Sequence, residues 1–135
     1  MAMDTLSRDA LSRTMKALAD PTRLEILALL ARHGELCVCD VERVLRITQS
    51  KTSRHLRYLE QAGLLQSRRD NVWMYYRIDP KPRGDEARAF EALRALVEER
   101  CSARWERRAA ALLTERGGAV RTCAAPRPKG RGDAR

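Results

Sequence analysis

The sequence predicts a mainly helical domain with one β-hairpin, an α+β fold, from two observations. Four stretches between residues 5 and 63 carry apolar residues at three- and four-residue spacings, and several are bounded by helix-capping residues. The stretch VWMYYRI at residues 72–78 instead alternates every two residues and is rich in β-branched and aromatic side chains. With 135 residues and 44% hydrophobic content, the chain suits one compact domain, which we place at residues 1–116.

The first two helices are separated by an Ala-Asp-Pro sequence. The first is predicted at Thr5–Leu18, and the second begins with Asp20 as its N-cap and Pro21 at its first helical position. The second helix ends near His33 and Gly34, and its wide apolar stripe makes it the best core candidate. We interpret His33 as a C-terminal helix residue favoured by the helix dipole, in preference to a metal ligand.

A third and a fourth helix follow in close succession. The i, i+3, i+4 pattern from Val41 to Leu45 predicts a short helix, and Arg46–Ile47 form a tight connection. Thr48 is a candidate N-cap for the next, basic helix, and Gly63 is suited to its C-terminal cap. A short helix, a tight turn and a basic helix predict a helix-turn-helix.

The basic helix has one apolar face and one face of hydrogen-bonding groups. Amide, hydroxyl and guanidinium groups near a helix N-terminus suit the base edges and phosphates of a DNA major groove. The alternative is the solvated face of an ordinary basic helix. The candidate DNA contacts in this helix are Thr48, Gln49, Ser50, Lys51, Ser53, Arg54, His55 and Arg57.

A β-hairpin directly after this helix is a wing. We expect its turn at residues 69–71 and a strand at residues 72–78, with alternate side chains on opposite faces. One face would carry Val72, Met74, Tyr76 and Ile78, and the other Trp73, Tyr75 and Arg77. Arg68, Arg69 and Asn71 are expected at the wing tip, where they would meet phosphates or the minor groove. A solvated turn is the alternative.

The C-terminal third is predicted to hold one long helix and a tail. Pro80 and Pro82 interrupt the chain, and Asp85 is a candidate cap for a helix reaching about Gly117. Such a helix exceeds what one small core can cover, so together with the first helix we expect it to form a homodimer surface. Residues 117–135, rich in Gly, Pro and Arg, predict a flexible basic tail.

The charge and the cysteine content bound the partners and the compartment. A formal charge of +9 and a pI near 10.1 favour a polyanionic partner, nucleic acid before a membrane. With no apolar run of membrane-spanning length and no signal-peptide pattern, we expect a cytoplasmic protein with its four cysteines reduced. There a close Cys pair predicts metal binding or redox sensing before a structural disulfide.

Cys37 and Cys39 form such a pair. In an extended segment the side chains of residues i and i+2 point the same way, so the two sulfurs can converge. The nearby helix N-terminus stabilises thiolates, which select soft, thiophilic metals and metalloids. A third sulfur could come from Cys101, which we prefer, or from Cys123, of either subunit. The alternative is a pair of buried cysteines acting as small apolar residues.

The segments ALADPTRLEILALL, ELCVCDV, QSKTSRHLRYLEQAGLL and RRDNVWMYYRI together resemble the ArsR/SmtB family of winged-helix metalloregulatory repressors. The resemblance covers about Leu11 to Ile78. The ELCVCD segment is similar to the arsenical-responsive branch, whose Cys-x-Cys, commonly with a third Cys three residues on, binds trivalent arsenic or antimony. Here Glu42 occupies that third position. Other members place a zinc site with His ligands on the last helix, where this chain has no histidine.

The resemblance implies a dimeric winged helix-turn-helix repressor that As(III) or Sb(III) releases from double-stranded operator DNA. We expect no enzyme, no catalytic residue and no organic cofactor, because no catalytic or phosphate-loop motif is present. One alternative is a thiol-redox or reactive-sulfur sensor on the same scaffold, in which Cys101 pairs with Cys37 or Cys39. A remoter alternative is a nonspecific architectural DNA-binding protein.

Overall fold

The computed structural model describes residues 2–79 and 84–114, and the side chains of residues 8–79 and 88–113. The helices are α1 (Ala2–Leu18), α2 (Pro21–His33), α3 (Val38–Leu45), α4 (Gln49–Gln61), α5 (Gly84–Arg100) and α6 (Glu106–Thr114). The strands are β1 (Leu36–Cys37), β2 (Leu65–Asp70) and β3 (Trp73–Ile78). The predicted tail at residues 117–135, with Cys123, lies outside the described residues, as do Pro80, Pro82 and the side chain of Asp85.

The capping predictions for the second and fourth helices are confirmed. The carboxylate of Asp20 accepts a hydrogen bond of 2.9 Å from the backbone N–H of Arg23, and α2 ends at His33 with Gly34 as its C-cap, at φ of 77°. The hydroxyl of Thr48 accepts from the backbone N–H of Lys51 at 3.2 Å. Gly63 follows α4 with φ of 83°, the left-handed conformation that favours glycine.

The core is centred on α2, as its apolar stripe predicts. Residues 26–30 of α2 are at most 1% exposed. Leu56 and Leu59 of α4, Phe90 of α5 and Trp105 pack into the same cluster. Helix α4 is therefore held by its apolar face, which leaves its other face toward solvent.

The wing is part of a three-stranded antiparallel sheet with strand order β1-β3-β2. The hairpin was predicted, but the two-residue strand β1 was not. The predicted turn at residues 69–71 is placed too early, because Asp70 pairs with Trp73 and leaves Asn71 and Val72 as a two-residue loop. Asn71 takes the left-handed conformation this loop needs, with φ of 62°. Arg68 and Arg69 consequently lie within β2 and not at the wing tip.

The predicted division of β3 into two faces is confirmed by packing. Met74, Tyr76 and Ile78 contact the main core, whereas Trp73 and Tyr75 belong to a second cluster with the two cysteines. Val72 lies in the loop and is 73% exposed. Strand β3 therefore contacts the helical core on one side and the cysteine pair on the other.

The prediction of one continuous C-terminal helix is wrong. Helix α5 ends at Arg100 and α6 begins at Glu106, with a turn between them. Trp105 in this turn is fully buried, and its indole Nε1 donates to the carbonyl oxygen of Cys101 at 2.7 Å. The carbonyl of Ser102 accepts from the N–H of Glu106 at 2.9 Å and starts the next helix. Burial of the indole in the core thus outweighs continuation of the helix.

Helix α6 returns onto its own domain and packs against α3. Its Glu106 forms an ion pair with Arg32 of α2, and its Ala109 is fully buried. Helix α6 therefore covers the core and contacts the helix that begins at the cysteine pair. No helix among the described residues has the length and apolar character needed to cross a membrane.

Candidate nucleic-acid interface and thiol site

Helix α4 presents a polar N-terminal half above a buried seam. Thr52, Leu56 and Leu59 face inward, and the Thr52 hydroxyl donates to the carbonyl of Thr48 at 2.8 Å. Among the predicted contacts, Ser53 and His55 are half-buried, and the rest of the set is exposed: Thr48, Gln49, Ser50, Lys51, Arg54 and Arg57. The structure therefore brings the predicted contacts of this helix onto one accessible surface, which we call the α4 polar face.

The side chain of Arg23 makes contacts that the sequence did not reveal and that orient α4. The Arg23 guanidinium lies over the Tyr58 ring, 4.2 Å from its centroid, and donates to the carbonyls of Lys16 and Ala17 at the end of α1. One arginine thus ties α4 to the end of α1. The only signal was Arg23 in the first turn of α2, which carries no information about a partner 35 positions away.

At its C-terminal end α4 is tied to the wing. The Ser67 hydroxyl of β2 donates to the Glu60 carboxylate of α4 at 2.5 Å. Because β2 also follows α4 directly, the helix and the wing are held in a fixed relation. A displacement of the wing would therefore displace the C-terminal end of α4.

His55 lies beside the connection between α1 and α2. Its pKa is lowered from the ordinary 6.5, chiefly by burial. The nearby Asp20 carboxylate opposes this shift, and Arg23, Arg54 and Lys51 add to it. The imidazole is therefore harder to protonate than an ordinary histidine side chain.

The two arginines of the wing differ in their surroundings. Arg69 and Asn71 are exposed. Arg68 is also exposed, but its guanidinium makes a forked contact with the Glu35 carboxylate, the shortest at 2.7 Å from Nη2 to Oε1. It also lies 4.5 Å from the centroid of the Tyr75 ring. The Arg68 guanidinium is therefore already engaged within the protomer.

The predicted convergence of Cys37 and Cys39 is observed. The two Sγ atoms are 3.1 Å apart, and the residues are 2% and 8% exposed. Cys37 occupies the N-cap position of α3, and Cys39 is the second residue of that helix. The positive end of the helix dipole therefore lies at the two sulfurs, where it favours negative charge.

The wall of the cysteine pair is aromatic. Tyr75, 7% exposed, packs with both cysteines, and the half-buried Trp73 covers the same cluster. Rings on this side limit the access of water to the sulfurs. Two sheltered sulfur atoms side by side would, as thiolates, form a donor set that suits a soft, thiophilic ion or metalloid.

Cys101 lies in a different part of the protomer. It follows the last residue of α5 and packs against the main core, not against the cysteine pair. Burial, reinforced by Glu25, raises the pKa of its thiol above the ordinary 9.0. Within the described part of the chain, no three His, Cys, Asp or Glu side chains converge on a possible metal position. Cys101 as the third ligand stays a prediction that would need the sulfur of a partner subunit.

Helix α3, its turn and α4, followed by the hairpin of β2 and β3, define a winged helix-turn-helix protein. The left-handed Arg46, with φ of 57°, makes the turn, and its N–H donates to the Glu42 carbonyl at 2.8 Å. The family model "Bacterial regulatory protein, arsR family" matches residues 20–67. These residues include the cysteine pair and the whole of α4.

Three known proteins illustrate the similarity. The arsenic resistance transcriptional regulator ArsR1 of Pseudomonas putida is 50% identical over 66 residues, which cover 49% of this chain and 52% of that protein. The homodimeric winged helix-turn-helix domain (fragment 1-100) of a possible ArsR-family regulator from Mycobacterium bovis aligns with a TM-score of 0.60 and 32% identity, covering 73% and 88% of the two chains. The antimony-specific transcriptional repressor AntR aligns with a TM-score of 0.51 and 34% identity, covering 64% and 75%.

This chain therefore belongs to the arsR family of bacterial regulatory proteins. The alignments with the first curated relatives span only about half of their length.

Proposed function

We propose that this protein is a homodimeric DNA-binding transcriptional repressor that trivalent arsenic or antimony, bound to cysteine thiolates, releases from its operator. The observation that carries the proposal is the position of the two sulfurs, 3.1 Å apart at the start of the helix that leads into α4. The names of two similar proteins support it, one an arsenic resistance regulator and the other an antimony-specific repressor.

The α4 polar face would enter the major groove. We assign base-edge contacts to Gln49, Ser50, Ser53 and Arg54, whose amide, hydroxyl and guanidinium groups offer both donors and acceptors. Phosphate contacts are assigned to Lys51, Arg57 and Arg69, with Thr48, His55 and Asn71 nearby. A surface with both kinds of group gives sequence preference as well as affinity, in contrast to an architectural protein that contacts only the backbone.

Dimerisation would use α1 and α5. These helices pack against each other, and each exposes large apolar side chains that the protomer does not cover. The exposed fractions are 40% for Leu11, 43% for Met15, 37% for Leu93 and 52% for Leu96. A second copy covering this surface would place two α4 helices on one duplex, as a pseudo-palindromic operator requires.

The inducer would bond Cys37 and Cys39 directly. Each arsenic–sulfur bond forms as a thiol replaces a hydroxyl of arsenous acid and one water leaves, with no change in oxidation state. Soft thiolates favour such a centre over hard cations. A third sulfur would come from Cys101 of a partner subunit or from Cys123, which lies outside the described residues.

Release would follow from strain on α3. Bonding would impose on the two sulfurs the separation that the metalloid requires. Because one sulfur lies in β1 and the other in the first turn of α3, we expect the angle between these two elements to change. Because α3 packs against α4 and only the short turn at Arg46 joins them, a rotation of α3 moves the α4 polar face out of register with the groove.

The test is the release of a selected operator duplex by sodium arsenite, followed by fluorescence anisotropy. We expect Cys37→Ser and Cys39→Ser to bind the duplex like the wild type and to resist release, because a serine hydroxyl cannot replace a thiolate. Cys101→Ser shows whether that residue supplies the third ligand. Release of either serine variant by arsenite, or none of the wild type, contradicts the proposal.

The thiol-redox alternative is tested in the same assay. Hydrogen peroxide replaces arsenite, and Cys101→Ser is compared with the wild type. Release by peroxide that depends on Cys101, without release by arsenite, would favour a disulfide between Cys101 and the cysteine pair.

A further inference from the structure

Cys37 and Arg68 lie in one row across the sheet, on either side of Tyr75. The register pairs Cys37 of β1 with Tyr75 of β3, and the same Tyr75 with Arg68 of β2. Directly paired residues of neighbouring strands project to the same face of a sheet. The row therefore runs from the cysteine pair to β2, the outer strand of the wing.

Arg68 closes this row by reaching back across it. Its Nε donates to both carboxylate oxygens of Glu35, at 2.9 and 2.8 Å, and its guanidinium lies over the Tyr75 ring at 4.5 Å. Glu35 immediately precedes β1, so the side chain of Arg68 in β2 is hydrogen-bonded to the segment that carries Cys37. We call the three residues Glu35, Tyr75 and Arg68 the wing clamp.

We propose that Arg68 is a positioning residue, and that the wing clamp transmits a displacement of the cysteine pair to the wing. The inference rests on the proposed inducer site at Cys37 and Cys39. A metalloid bonded to both sulfurs sets the distance between them and so displaces β1 relative to β3, and the clamp passes this displacement to β2. The wing then moves together with β1, and Arg69 on it loses its phosphate.

A plain phosphate role for Arg68 makes a different prediction. Arg68 would then act like its neighbour Arg69, which carries the same charge on the same strand. Arg69 pairs with Met74 of β3. Loss of either arginine would weaken DNA binding similarly and leave the response to metalloid intact. The two arginines are therefore a matched pair for the test.

The experiment measures a release factor, the ratio of the DNA dissociation constants with and without saturating sodium arsenite. Effectors commonly change affinity about 5- to 150-fold, and we expect Arg68→Gln to lower the wild-type factor at least about fivefold. Arg69→Gln should weaken DNA binding without arsenite and keep the factor within about twofold of the wild type. An unchanged factor in Arg68→Gln overturns the inference.

Glu35→Gln provides a second variant that leaves both arginines in place. If Glu35 and Arg68 act as one unit, the double variant Glu35→Gln with Arg68→Gln loses no more of the release factor than either single variant. Additive losses would mean that the two residues act separately, and would contradict the clamp. A variant that only loosens the wing lowers DNA affinity in both conditions and leaves the ratio unchanged.

The outcomes also separate this inference from the proposed function. If arsenite fails to release the wild type, the proposed inducer site is wrong, and the proposed role of the wing clamp is contradicted as well. If arsenite releases the wild type and Arg68→Gln equally, the inducer site stands and the clamp alone is wrong. Loss of release in Arg68→Gln but not in Arg69→Gln supports both.

Discussion

The guanidinium of Arg108 in α6 donates a hydrogen bond from Nε to the carbonyl oxygen of Val44 in α3, over 2.6 Å. Val44 lies in the last turn of α3, where carbonyl groups have no partner within the helix. The last helix thus supplies a cation to the C-terminal end of the helix that begins at the cysteine pair. At its other end the N-cap residue Cys37 pairs with Tyr75 of β3, so α3 is held at both ends by residues distant in sequence.

Replacing Arg108 should therefore destabilise the domain. We expect Arg108→Ala to lower the free energy of unfolding by about 1–2 kcal/mol, because a charge-assisted hydrogen bond to a part-buried carbonyl is lost. Urea unfolding at fixed protein concentration measures the change. The exposed neighbour Arg107 is the control, and an equal loss in Arg107→Ala would show that the Val44 contact contributes nothing specific.

The Thr48 cap should matter for both stability and DNA binding. Thr48→Ala removes the oxygen that accepts from the N–H of Lys51 and should cost about 1 kcal/mol of unfolding free energy. DNA affinity should fall with it, since the first turn of α4 carries Gln49 and Ser50. Thr48→Ser retains the oxygen and should behave like the wild type in urea unfolding and anisotropy. A serine variant as impaired as the alanine variant would argue against the cap.

The DNA assignments separate specificity from charge. Gln49→Ala should relax base preference at one operator position, whereas Arg69→Ala should weaken binding to every sequence and reduce the slope of log affinity against log salt by about one. Anisotropy titrations on operator and random duplexes at several salt concentrations measure both. If Gln49→Ala weakens operator and random DNA equally, Gln49 is not a base-reading residue.

The pH dependence of stability follows from His33. This residue packs edge-on against Trp105, with ring centroids 6.2 Å apart. Burial, followed by the Arg32 charge, lowers its pKa below the ordinary 6.5, while Glu106 opposes the shift. The unfolded chain therefore binds a proton more readily, and stability should fall as the pH drops below 6.5 toward the folded pKa, then level off.

Urea unfolding at several pH values between about 7.5 and 5.5, a range centred near the ordinary histidine pKa, measures this effect. His33→Gln should reduce the loss of stability over that range. Part of the slope should remain, since the pKa of His55 is lowered in the same direction. A wild type that becomes more stable on acidification, or a slope unaffected by His33→Gln, contradicts this account.

Local signals were sufficient to predict the ends of helices α2 and α4. Asp20 with Pro21, and Thr48 with Gly63, are capping residues whose effect needs only neighbouring backbone groups, so the ends of α2 and α4 could be predicted. The approach of Cys37 to Cys39 was also local. The ligand role of these cysteines is a matter of chemistry and stays a prediction.

Features that depend on distant partners could not be predicted. Trp105 continues the four-residue spacing of Val97 and Cys101, which is typical of one unbroken helix, and only its burial in the core explains the turn. Strand β1 has two residues and exists because β3 pairs with it. The contact between Glu35 and Arg68 joins residues 33 positions apart, which no helical or strand spacing indicates.

The proposed function requires that the cysteine pair and the DNA surface be energetically coupled, and coupling of two binding equilibria must be reciprocal. The most direct measurement is a calorimetric titration of sodium arsenite into the protein alone and into the protein saturated with operator duplex, at the same salt concentration. We predict that DNA lowers the arsenite affinity by the same factor by which arsenite lowers the DNA affinity. Equal arsenite affinities in the two titrations would contradict the account and leave the cysteine pair uncoupled from DNA binding.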